Sequence, residues 1–202
     1  MEASPTIPLN YPLQFKFQVA TFANDFVATD ALGRELFYMR EKIFTWRDTV
    51  KVYRDSSKST LLYELISNKL IDFQQTFTIT DRSGRVVGKV RRKSIRSLWR
   101  STFNLLTDTD QHDHTITEKN PWTKMWDSMF GEIPIIGALS CYVFNPGYIL
   151  RDAMGEELFE IQKEPSFFGR KFSVHRLTQR PLDEERLLLS LMLMVLTERR
   201  NG

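Results

Sequence analysis

The segment DEERLLLSLMLMVLTERR, Asp183 to Arg200, constrains this chain more than any other stretch. From Leu187 to Leu196 there is no charge and a single hydroxyl, Ser190. A bilayer span takes roughly 20 residues, and at roughly 1.5 Å per residue this run reaches only about half way across. It is apolar on every face, so it does not read as an amphipathic surface helix. Its flanks are those of a helix. Asp183 is placed to cap the N-terminus, Glu184 and Glu185 suit the positive end of the dipole, and Arg199 and Arg200 suit the negative end. Leu and Met dominate, as a helix prefers. The segment therefore predicts a helix over 183–200 that protein must enclose on all sides.

The rest of the chain supplies the enclosure. Apolar and polar residues alternate in QFKFQVA, NDFVATD, ELFYMRE, TVKVYRD, TLLYELI, QTFTITD, RVVGKVR, TFNLLTD, HTITEK, CYVFNPGYILRD, ELFEIQK and KFSVHRL, about a dozen strand-length runs. Between them an Asp-x-x-Gly turn recurs at Asp30–Gly33, Asp81–Gly84 and Asp152–Gly155. Aspartate binds the backbone ahead of it and glycine accepts positive φ, which makes a hairpin with a bulge. RDSSKST and TDTDQHDHT fill the same slot less regularly. This pattern predicts consecutive antiparallel hairpins. Closing them into a barrel removes the edges and leaves a lumen that strand side chains alone do not fill. The apolar helix is the expected plug. The expected fold is thus mainly β, a closed antiparallel barrel of about twelve strands around a central hydrophobic C-terminal helix.

Composition sets the remaining limits. The 202 residues, 42% hydrophobic and 26% charged, read as one domain over 1–202, with an N-terminal arm over 1–12 and a short helical insertion over 120–140. A formal charge of +3 is too small to demand nucleic acid, which is not an expected partner. The one cysteine, Cys141, leaves no internal disulfide and has apolar neighbours, so a buried thiol is expected. The N-terminus shows no basic region followed by an apolar one. A reducing cytoplasm is therefore expected, with no transmembrane span.

Several stretches resemble the tubby C-terminal-like superfamily, in particular its LURP-one-related bacterial branch. They are FANDFVATDALGRELFYMREK, DRSGRVVGKVRRKSIRSLWR, EKNPWTKMWDS, GEIPIIG, FNPGYILRD, KEPSFFGRKF and LSLMLMVLTERR. The resemblance runs from about Leu13 to Gly202. It implies a twelve-stranded barrel around a central C-terminal helix, related to phosphoinositide-binding tubby proteins and to phospholipid scramblases. It also implies a headgroup site at a Lys-x-Arg pair, matched here by Lys89 and Arg91. A shared fold leaves function open.

The residues themselves offer four candidate sites. From Arg82 to Arg100 the chain is basic and acid-free. Within it Lys89, Arg91, Arg92, Lys93 and Arg96 are candidates for binding an anion or lipid headgroup, and Lys89, Arg91 and Lys93 share one strand face. The same residues also serve as solvated strand protection. Asn120 and Pro121 open a short helix on which Trp122, Met125, Trp126, Met129 and Phe130 form a stripe, which either caps the barrel mouth or meets a membrane or partner. Phe167 and Phe168, flanked by Arg170 and Lys171, read either as packing residues or as a membrane or partner contact. DTDQHDHT lacks the glycine and glutamate of a calcium loop and reads as a polar turn; His175 has no nucleophile beside it. No metal, cofactor or catalytic motif is recognised. The expectation is a non-enzymatic domain, cytoplasmic or peripheral at the inner membrane face, that binds anionic phospholipid or phosphoinositide. The alternative is a protein-interaction scaffold with no lipid ligand.

Overall fold

The structure is a computed structural model that describes residues 9–18, 25–42, 48–68, 75–93, 101–119, 147–164 and 171–201. The strands are β1 (Leu13–Phe17), β2 (Asp25–Thr29), β3 (Glu35–Lys42), β4 (Thr49–Tyr53), β5 (Leu61–Asn68), β6 (Thr76–Asp81) and β7 (Val86–Arg92). They continue as β8 (Thr102–Leu106), β9 (His112–Glu118), β10 (Gly147–Asp152), β11 (Glu157–Lys163) and β12 (Lys171–Arg176), followed by the helix α1 (Glu184–Asn201). Each strand pairs antiparallel with its sequence neighbours, and β1 pairs with β12 to close the barrel. The expected mainly-β closed barrel is therefore the observed fold, and each of the twelve alternating runs contributes one strand. The helical insertion expected over 120–140, Cys141, Arg96, Trp122, Trp126, Phe167 and Phe168 lie outside the described residues.

Strand alternation sorts the side chains into two layers. Leu13, Phe15, Phe17, Met39, Val50, Val52, Leu65, Ile79, Val90, Phe103, Leu105, Ile116, Leu150, Phe159, Ile161 and Val174 face inward and are buried. Lys16, Arg40, Lys51, Glu64, Lys89, Arg91 and Arg151 sit out of phase with them and face outward. The outside is thus polar and the inside apolar, the reverse of a barrel that faces lipid.

Five hairpins share one turn design. In β2–β3 the Asp30 Oδ1 accepts from the Leu32 N–H at 3.0 Å and the Arg34 N–H at 2.9 Å, and Gly33 takes φ +78°. Asp81 accepts from Ser83 and Arg85 in β6–β7, and Asp152 from Met154 and Glu156 in β10–β11, with Gly84 at +83° and Gly155 at +87°. In the β4–β5 and β8–β9 turns the positive-φ slot holds Lys58 at 58° and Asp110 at 64°, side chains that rarely take this conformation. A bulge beside the turn shifts the register in all five hairpins. The irregular turns are thus members of the same series.

The helix fills the barrel. Leu187, Leu188, Leu189, Leu191, Met192, Leu193, Met194, Val195 and Leu196 are each at most 2% exposed and join one core cluster with the inward strand residues. At about 2 kcal/mol per large apolar side chain, this burial dominates the gross stabilisation. The two hydroxyls enclosed with them bond within the helix: Ser190 donates to the Arg186 carbonyl and Thr197 to the Leu193 carbonyl, both at 2.8 Å. Among the described residues no helix is long and apolar enough to cross a membrane.

Charges fasten the helix at both ends. The Asp183 carbonyl accepts the Leu187 N–H at 3.1 Å, and its Oδ1 accepts the Arg186 N–H at 3.3 Å, so Asp183 is the N-cap. Before it, Arg176 bonds the Thr178 and Arg180 carbonyls and Glu184, while Arg180 pairs with Asp152 and Glu156. This straps residues 177–183 across the mouth. Arg186 then runs past Gly88 on β7, where a Cβ would meet its Cδ at 2.9 Å, and ends 2.5 Å from the Asp113 carboxylate on β9. Burial pushes the Asp113 carboxyl up. Hydrogen bonds from His114 and Arg186 outweigh it and bring it down to about 2. Glu184 and Glu185 lie near the Tyr11 and Tyr63 phenols, whose ionisation is raised first by burial and then by these carboxylates.

Candidate anion-binding face

β7 carries VVGKVRR, and its register decides which cations share a face. Val90 stands opposite Phe77 and Leu105, both buried, so it faces inward, and Gly88 and Arg92 face inward with it. Lys89 stands opposite Thr78 and Leu106, and Arg91 opposite Thr76 and Asn104, on the outer face. Lys93 follows the strand end, exposed, its N–H bonded to the Thr102 carbonyl at 2.9 Å.

Arg92 is thereby separated from the other candidates. Its guanidinium sits inside the barrel end, 3.1 Å from Glu198 Oε1 and 5.8 Å from the Phe103 ring centre. The other Glu198 oxygen accepts from Ser101 at 2.8 Å and from the Tyr148 hydroxyl at 3.4 Å. The Tyr148 phenol ionises well above its ordinary value, through burial first and then the charges of Glu198 and Glu118. Arg92 thus ties β7 to the last turn of α1. It stands in a network that Ser101 and Tyr148 complete.

The outer layer has a different character. Thr76, Thr78 and Thr80 on β6, Lys89 and Arg91 on β7, Thr102 and Asn104 on β8, and Thr115 and Thr117 on β9 are the outward positions by alternation. They comprise hydroxyls, an amide and two cations; Asp113 on β9, beside the bulge, pairs with Arg186, and the Asp110 carboxylate reaches Lys89 from the β8–β9 turn. Arg91 Nε donates to Thr76 Oγ1 at 3.3 Å, a contact that leaves the two terminal nitrogens of its fork for another acceptor. Lys89 is 21% exposed and donates to Asp110 Oδ2 at 2.6 Å. Arg85, at the hairpin tip, pairs with Asp81. Among the described residues Arg82, Arg91 and Lys93 have no carboxylate partner.

The structure therefore brings Lys89, Arg91 and Lys93 to one side of the barrel and takes Arg92 to the other. Three neighbours were missed on the sequence. Thr76 and Asn104 meet Arg91 only through cross-strand register, which one strand's sequence does not carry. Asp110 had a readable signal, since TDTDQ aligns with the Asp-x-x-Gly turns and puts Asp110 in the positive-φ slot. DTDQHDHT is the β8–β9 hairpin. Among the described residues no group of three or more His, Cys, Asp or Glu side chains is placed to hold a metal ion. What the outer face can do chemically is accept an anion: a planar fork, an exposed ammonium and surrounding hydroxyls match the oxygens of a phosphate. Compared with models of protein families and with curated proteins, the chain matches none.

Proposed function

We propose that this barrel is a non-enzymatic binding domain of the tubby C-terminal-like kind, in its LURP-one-related branch. It docks on anionic phospholipid, phosphoinositides included, through the outer face of β7. Arg91 and Lys93 are the leading contacts, Lys89 is the third, and Arg96 is the remaining member of the set. The kinship rests on the barrel closed around an apolar C-terminal helix together with the sequence resemblance. The binding reading rests on one observation: Arg91 and Lys93 stand with Lys89 on the outer face, and neither has a carboxylate partner among the described residues. Near an anionic surface each cation contributes about 1 kcal/mol, an attraction that salt screens.

The test is cosedimentation with vesicles. Wild type is expected to pellet with vesicles of equal parts phosphatidylcholine and phosphatidylserine, to do so less as salt rises, and to ignore phosphatidylcholine alone. The pair Arg91→Glu and Lys93→Glu is expected to abolish pelleting and keep the melting temperature. Lys89 stays native in that variant, because a glutamate there would face Asp110. Equal pelleting of wild type and variant, or none by wild type at low salt, overturns the reading in favour of a protein-interaction domain.

A further inference from the structure

We infer that Asp110 is a built-in occupant of the anion site at Lys89, which an external phosphate group must displace. This rests on the reading of the β7 face given above and adds its regulation.

The argument starts from the turn. Five hairpins place one residue each in the positive-φ slot, and three of them use glycine, which takes that conformation without a Cβ clash. The β8–β9 turn uses Asp110, at φ 64°. Aspartate tolerates this region better than most residues, and glycine tolerates it better still. The turn does not require the carboxylate: its own backbone bonds come from Thr107, whose carbonyl accepts the Asp110 N–H at 3.2 Å and whose Oγ1 accepts the Gln111 N–H at 3.1 Å. The Asp110 side chain projects to Lys89, 2.6 Å from Nζ, and is itself 56% exposed. It is thus a carboxylate held over the candidate site by an exposed turn residue rather than by the core.

The chemistry of that contact is competitive. A carboxylate and a phosphate oxygen bind the same ammonium in the same way, and inorganic phosphate or a phosphate monoester carries more charge. While Asp110 sits on Lys89, the face offers Arg91 and Lys93 and presents one negative charge beside them. Once a phosphate takes Lys89, Asp110 turns to solvent, which its exposure permits. Asp113, three residues on in the same hairpin, pairs with Arg186 at the start of α1. The hairpin therefore stays anchored while its tip is released.

Two variants test this. Asp110→Gly restores the residue of the sister turns, and Asp110→Asn keeps the shape without the charge. Each is measured against inorganic phosphate by calorimetric titration and against vesicles of equal parts phosphatidylcholine and phosphatidylserine by cosedimentation. Both are expected to bind about fivefold more tightly than wild type, the factor one charge carries near an anionic surface. Lys89→Met in the same chain is expected to abolish the gain. A gain toward phosphate alone upholds the Asp110 occupancy and removes the lipid reading. Vesicle binding by wild type with no gain in either variant overturns the occupancy and leaves the lipid reading standing. A gain that survives Lys89→Met overturns the occupancy, and no binding by any chain to either probe overturns both.

Discussion

The two faces of β7 carry cations of the same kind one residue apart, and the barrel puts them to different uses. Arg92, on the inner face, meets Glu198 on α1 and lies over Phe103, so its charge is half-buried and partnered. Arg91, on the outer face, hydrogen-bonds to the Thr76 hydroxyl and has no carboxylate partner among the described residues. A charge taken out of water must be partnered to be tolerated, whereas a charge left at the surface stays solvated and free to exchange partners. The same basic run thus fastens the plug from one side and leaves Arg91 without a carboxylate partner, among the described residues, on the other.

Four substitutions break or sharpen this contrast. The largest effect belongs to the interior that Arg92 helps to close. Leu193→Asp puts a carboxylate where Leu193 is 1% exposed among apolar neighbours, and is expected to cost more than about 4 kcal/mol. The expected outcome is aggregation or loss of the cooperative thermal transition; a soluble variant with native melting contradicts the enclosed helix. Next comes Arg92→Met, expected to destabilise by about 2 kcal/mol because Glu198 keeps its charge in a half-enclosed place. Adding Glu198→Gln is expected to restore much of that loss, measured by urea unfolding. Two additive losses would show that the pair does not interact.

Gly88→Ala is expected to cost about 1–3 kcal/mol, the usual range for overpacking. Its Cβ would meet Arg186 Cδ at 2.9 Å and the Leu106 carbonyl oxygen at 3.1 Å. Shortening Arg186 as well relieves only the first of these, so a partial recovery is the outcome to look for. The smallest effect is Arg91→Ala, within about 0.5 kcal/mol of wild type, as surface changes usually are. If it destabilises as much as Arg92→Met, the outer residue is structural and the contrast between the faces fails.

Much of this contrast was legible in the chain as written. A period of two assigns Lys89 and Arg91 to one side of β7 and Arg92 to the other, so the out-of-phase position of Arg92 was available from spacing alone. Its partner was not, because Glu198 is 106 residues away and joins it only when the helix is threaded. The apparent freedom from acid between Arg82 and Arg100 is likewise a property of the linear sequence. In the fold Asp110 returns to Lys89 across a hairpin and Glu198 returns to Arg92 from the helix.

What the sequence determined by itself is the architecture. A run apolar on all faces and too short for a bilayer demands enclosure, and a dozen alternating segments with a repeated turn supply a barrel to enclose it. Both follow from local periodicity and from the need to keep apolar surface from water, so they survive without knowledge of any pairing. Only the tertiary structure decided which charges are left to act. Ion pairs form between residues distant in the chain, over a few ångströms, and strand register sets them. The pairing of Lys89 with Asp110, and of Arg92 with Glu198, therefore belongs to the closed barrel and not to any segment of it.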